Sequence, residues 1–134
     1  MLGICLVLAG AAAAAPVFIP ATHFTLAWTH SIEKVRWEED WRVLDAPPRL
    51  EITAARVRGS AAGMEPPDDA QLKDGWYTYR PATPAPDLLR LTRSPYTADF
   101  DLCPQSQGCA PMGRWLASDG GVTLLSACAS PPRP

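Results

Sequence analysis

The chain lacks the features on which nucleic-acid binding and most hydrolytic chemistry depend. It carries 12 Lys and Arg against 14 Asp and Glu, giving a net charge of −2, and it has no basic patch. Because phosphate binding needs clustered basic side chains, the sequence argues against a nucleic-acid partner. It also contains no GxSxG elbow, no HExxH pair, no phosphate loop and no dinucleotide fingerprint, which argues against a hydrolase.

The chain has four cysteines but no CxxC spacing, so a zinc site built from three thiolates and a histidine is not supported. We expect no metal and no cofactor. Cys103 and Cys109 are close enough in sequence to close a small disulfide loop, which is typical of an oxidising compartment. Cys128 would then be left over, and pairing of Cys128 with Cys103 or with Cys109 is an equally permitted alternative.

The first 15 residues form an uncharged apolar run without a preceding Lys or Arg. The run ends in small residues, which predicts a signal peptide cleaved after Ala14 or Ala15, although the usual positive n-region is missing. The alternatives are an uncleaved membrane anchor or a buried first element. We therefore expect export to the periplasm, or tethering to the inner membrane if the leader is retained. Residues 129–134 are expected to be a disordered tail.

Residues 24–43 predict two half-buried β-strands, because apolar side chains recur at every second position. Further short alternating segments follow at residues 50–57, 75–79, 88–92, 99–103 and 122–128, and no convincing amphipathic helix or internal repeat interrupts them. In the predicted strand of residues 50–57, Leu50, Ile52 and Ala54 are predicted to share one face. The pattern predicts one all-β domain over residues 22–128, a small antiparallel sandwich or partly open barrel of six to eight strands.

Each of the first two predicted strands carries one ionisable residue on its apolar face, His30 and Glu39. A hairpin turning at Glu33 and Lys34 would place His30 opposite Trp37 and Trp28 opposite Glu39, with His30 and Glu39 as diagonal neighbours. This arrangement predicts a small pocket formed by Trp28, His30, Glu39 and Trp41, covered by the loop of residues 59–67. A hydrogen-bonded structural histidine is the simpler alternative. A calcium site at the nearby acidic residues is not favoured, because alternation divides them between two faces.

The motifs WTHSIEKVRWEEDWRV, RVRGSAAGMEPPDDA and DGWYTYRP resemble domain-of-unknown-function family 1850 over residues 24–128. The resemblance directs attention to three groups of possible binding residues. These are His30, Ser31, Glu33 and Lys34 in the first half of the first motif; Trp37, Glu39 and Trp41 in its second half; and Gly59, Ser60, Gly63 and Met64 in the glycine-rich loop. Ala61 stands where the family usually has Gly, which weakens any requirement for positive φ at that position.

The resemblance implies small exported bacterial proteins encoded beside TRAP transporters of the TAXI type, and it supplies no catalytic residues. We therefore expect a non-enzymatic periplasmic accessory protein that binds a transporter subunit, the solute-binding protein or a small organic acid. Two alternatives remain: a small enzyme that acts on the transported solute with His30 as general base, and a purely structural envelope protein. The membrane is expected to be a partner only through an uncleaved N-terminal segment.

Overall fold

Two antiparallel β-sheets pack as a sandwich in the computed structural model, which describes residues 1–11, 13–29, 34–58, 71–81 and 88–129. The smaller sheet has the order β2-β1-β11-β8, formed by β1 (Leu2–Leu8), β2 (Val17–Pro20), β8 (Leu88–Thr92) and β11 (Val122–Ala129). The predicted sandwich is confirmed. Among the described residues no helix is long and apolar enough to cross a membrane.

The larger sheet has the order β10-β9-β3-β4-β5-β7-β6. Its strands are β3 (His23–Thr29), β4 (Arg36–Leu44), β5 (Arg49–Arg58), β6 (Gln71–Lys73), β7 (Trp76–Tyr79), β9 (Asp101–Pro104) and β10 (Ala110–Pro111). Short 3₁₀ turns occupy Ala9–Ala11 and Met112–Arg114. The two sheets together contain eleven strands within the described residues, more than predicted, because β1 and β2 lie before the predicted domain and β6 and β10 are very short.

Apolar side chains from both sheets form one core. The smaller sheet contributes Ile4, Leu6, Ile19, Leu91 and Leu125; the larger sheet contributes Phe24, Leu26, Trp41, Val43, Leu50 and Leu102; Met112 closes one end. The alternation read from the sequence therefore assigns the inner face of β3 and β4 correctly. Burying these side chains on one face of each strand is the main stabilising contribution that a sandwich of this size has available.

The segment predicted as a signal peptide or anchor contains a central strand of the smaller sheet. β1 pairs with β11 over seven residue pairs and with β2 over four, and the side chains of Ile4 and Leu6 are completely buried. Cleavage after Ala14 or Ala15 would remove this strand from the fold shown here. Whether the segment is removed on export stays a prediction.

Both disulfides join cysteines within the sheets or at their ends. Cys103 pairs with Cys109, as the spacing predicts, and Cys128 pairs with Cys5 of β1. The pairings of Cys128 with Cys103 or Cys109 are therefore wrong. Cys5 lies in the segment predicted to be a cleaved leader, which is why the second disulfide was not predicted from the sequence. Two disulfides are compatible with an exported protein.

Candidate functional site

The inner face of the larger sheet carries a continuous row of apolar side chains that crosses five strands. In register, the row runs through Trp28, Trp37, Val57, Tyr77 and Leu72, and we call it the aromatic row. Trp28 and Trp37 stack with ring centroids 6.3 Å apart and an interplanar angle of 7°. The row becomes more exposed towards the sheet edge, where Leu72 of β6 is 60% exposed. Directly opposed side chains on such a face are the units that stabilise a sheet.

Glu39 lies in the next row of the same face, within an apolar environment. Leu26 of β3 and Ala55 of β5 are its direct cross-strand neighbours, and Trp37 and Trp41 precede and follow it on the same face of β4. The side chain is partly buried. Glu39 forms no ion pair with any residue that the structure describes. The Glu39 carboxyl therefore occupies a position on the inner face of β4 where an apolar side chain would stabilise the sheet more.

Burial raises the pKa of the Glu39 carboxyl above its ordinary value of 4.5, because desolvation disfavours the charged form. The Trp41 indole acts in the opposite direction and lowers that pKa, but more weakly. The indole Nε1 atoms of Trp37 and Trp41 are both buried, and neither has a hydrogen-bond partner among the residues that the structure describes. The site combines a destabilised carboxylate with two unsatisfied donors.

The predicted pairing of β3 with β4 is wrong by two residues. Trp28 lies opposite Trp37 rather than Glu39, and Leu26 lies opposite Glu39 rather than Trp41. A shift of two residues keeps every side chain on its predicted face, which is why the predicted inner face is correct although the partners are not. The pairing of β3 with β4 ends at Thr29 and Arg36. Glu33 lies outside the described residues, so the predicted turn at Glu33 and Lys34 stays a prediction.

A β-bulge changes the predicted face of β5. The pairing with β4 shifts between Asp40, which lies opposite Ala54, and Trp41, which lies opposite Ile52. The extra residue on β5 moves Ala55 and Val57 to the buried face, so the prediction that Ala54 shares the face of Leu50 and Ile52 is wrong. As a result Ala55, a small residue, lies beside Glu39.

The structure brings together Trp28, Trp37, Glu39 and Trp41 from the predicted site. Lys34 lies outside this cluster, two residues before β4 begins at Arg36. Seven other predicted residues lie outside the described part of the chain: His30, Ser31, Glu33, Gly59, Ser60, Gly63 and Met64. The proposed His30–Glu39 contact and the covering loop therefore stay predictions.

The outer face of β4 has a different electrostatic character. Arg56 donates to Glu38 at 2.7 Å and to both carboxylate oxygens of Asp40 at 2.7 and 3.1 Å, and Arg36 donates to Glu38 at 2.8 Å. Burial alone would raise the pKa values of Glu38 and Asp40, but these hydrogen bonds lower both below their ordinary values. Glu38 and Asp40 therefore belong to a charged sheet face on which arginines compensate both carboxylates.

A groove of about 420 Å³ lies over this outer face, lined in part by His23, Thr25, Asp40, Thr53 and Gln105. No sequence motif indicates this groove. Its polar groups are largely occupied with one another: Thr25 donates to Asp40 at 2.7 Å, and the Gln105 side-chain oxygen accepts from the amides of Thr22 and His23. Glu39 is the more informative candidate, since its charge has no such compensation. No cluster of three or more metal-ligating side chains occurs within the described ranges.

Comparison with known proteins identifies the family but no characterised relative. No curated protein and no solved structure shows significant similarity to the chain. A family model described as domain of unknown function (DUF1850) matches residues 24–112, which include β4, β5, all but the first residue of β3, and the described neighbours of Glu39. The chain belongs to the family of the domain of unknown function DUF1850.

Proposed function

We propose that the protein is an exported, non-enzymatic accessory domain of a TAXI-type TRAP transporter. In this proposal it contacts a transporter protein, either the solute-binding protein or a membrane subunit, through the aromatic row and the adjacent Glu39. The family resemblance supports the choice of transporter, and the two disulfides are compatible with function outside the cytoplasm. The observation that carries the proposal is the aromatic row extending to an exposed Leu72 at the sheet edge.

Protein docking fits this face better than direct capture of an organic acid. An organic-acid anion bound next to Glu39 would add a second negative charge in a partly desolvated environment, which raises the electrostatic free energy unless one group is protonated. Protein interfaces, in contrast, are enriched in Trp and Tyr and depleted of charge at their centre. The aromatic row has this composition.

The test is copurification of the tagged, full-length protein with the transporter proteins encoded beside it. Leu72→Glu places a charge at the exposed end of the aromatic row, where a 60% exposed side chain should tolerate replacement without unfolding. We expect this variant to lose at least about ten-fold of the recovered partner, since an unpaired charge would be desolvated on docking.

The matched control is Tyr96→Ser, because Tyr96 is 94% exposed and lies in a turn that follows β8 of the smaller sheet. It should leave recovery unchanged. Unchanged recovery with Leu72→Glu, or failure of all transporter proteins to copurify with the unaltered protein, would contradict the proposal. Turnover of the transported solute by the purified protein would favour the enzymatic alternative.

A further inference from the structure

The carboxylates in the strands of the larger sheet are unequally compensated. Four of them form ion pairs with arginine: Glu38 and Asp40 with Arg56, Glu51 with Arg42, and Asp101 with Arg36. Glu39 is the remaining carboxylate in these strands, and no described residue pairs with it. Glu39, the carboxylate without an arginine partner among the described residues, is also the one that lies on the apolar inner face.

The surroundings of Glu39 suit a cation. Its neighbours along β4 on the same face are the indoles of Trp37 and Trp41, and Trp28 stacks on Trp37. Indole faces attract cations through their negative π-surfaces, and a partly desolvated carboxylate attracts them more strongly than an exposed one. The chain already uses this chemistry elsewhere, since the Arg58 guanidinium lies 5.5 Å from the ring centre of Trp76.

We propose that Glu39 and the partly exposed indole of Trp37 receive a basic side chain of the docked partner protein. This inference rests on the proposed function and specifies the chemistry of the partner: an arginine or lysine surrounded by apolar residues. The argument is charge complementarity, because a lone negative charge within an apolar face remains costly until an opposite charge compensates it. Arginine is the better fit, since its planar guanidinium can pair bidentately with a carboxylate and stack on an indole.

The first experimental arm does not require the transporter. N-butylguanidinium is titrated into the full-length protein while the tryptophan Nε1–H signals are followed by NMR, and neutral N-butylurea serves as an isosteric comparison. We expect the cation to bind at least ten-fold more tightly than the urea, and Glu39→Gln to abolish that preference. Glu38→Gln is the matched control, because Glu38 is adjacent in sequence but lies on the outer face; it should retain the preference.

Equal binding of the two probes, or a preference that persists in Glu39→Gln, would overturn the inference. The second arm measures copurification of the partner with the same variants. Loss with Glu39→Gln and retention with Glu38→Gln supports a basic partner residue at Glu39. If Leu72→Glu abolishes copurification while Glu39→Gln does not, docking occurs at this face but the basic contact is refuted. If the cation preference is observed but no transporter protein copurifies, the proposed function fails while the cation site stands.

Discussion

The disulfide between Cys5 and Cys128 is expected to stabilise the fold far more than the disulfide between Cys103 and Cys109. A disulfide stabilises mainly by restricting the unfolded chain, and the effect grows with the length of the closed loop. For a sequence separation of 123 the chain-entropy relation gives about 5 kcal/mol, and for a separation of 6 it gives about 2 kcal/mol. Replacing the first pair by alanines should therefore lower the free energy of unfolding by about 3 kcal/mol more than replacing the second pair.

The assay is equilibrium unfolding in urea of the full-length protein and the two double-alanine variants, with and without reductant. Because the urea dependence is about 1–3 kcal/mol per molar for small proteins, the variant without Cys5 and Cys128 should unfold at least about 1 M earlier than the other. Full reduction should bring all three proteins close together. Equal midpoints for the two variants without reductant would refute the claim that β1 is tied to β11 in the folded protein.

Three further outcomes follow from buried groups. Glu39→Gln should flatten the pH dependence of the free energy of unfolding. Because the pKa of Glu39 is raised in the folded protein, its protonated carboxyl stabilises the fold fully below the ordinary pKa of 4.5, and this stabilisation is lost as pH rises through the folded-state pKa. Between pH 4 and pH 7 the urea midpoint of the variant should therefore rise relative to that of the unaltered protein. Arg93→Met should lower the free energy of unfolding by about 3–5 kcal/mol. Arg93 is 3% exposed and donates hydrogen bonds to Asp99 at 2.8 and 2.9 Å, so its removal leaves the Asp99 carboxylate without its guanidinium partner. Leu102→Ala, at a completely buried core position, should cost about 2–5 kcal/mol in the same assay.

The faces of the central strands could be predicted from sequence because side-chain direction follows a strict period of two. Phe24 and Leu26 on β3, and Trp41 and Val43 on β4, are buried as alternation requires. The same rule places Glu39 on the inner face without any knowledge of tertiary structure. Fold class and the approximate composition of the site therefore follow from local pattern, which tertiary packing preserves here.

The partners of these residues could not be predicted, because register depends on where the turn begins and where a strand bulges. A slip of two residues leaves the face pattern intact, so alternation cannot distinguish Trp28 opposite Trp37 from Trp28 opposite Glu39. The bulge on β5 likewise has no clear composition signal at Thr53 and Ala54, and it decides that Ala55 is the neighbour of Glu39. The arginine partners of Glu38 and Asp40 were also missed, since Arg56 comes from a strand whose pairing depends on that register.

Gly3 offers a way to separate the two roles that the first 15 residues could have. An export signal needs an apolar run, and Gly3→Ala would leave that run apolar. In the fold, a Cβ at Gly3 would lie 2.3 Å from the Ile19 backbone oxygen and 2.8 Å from the Phe18 ring, so β1 and β2 could not keep their present spacing. If β1 is retained in the exported protein, Gly3→Ala should therefore lower the urea midpoint while export continues. An unchanged midpoint, with a mass showing that residues 1–15 are absent, would mean that the mature protein folds without β1 and that Cys128 has lost its partner in Cys5.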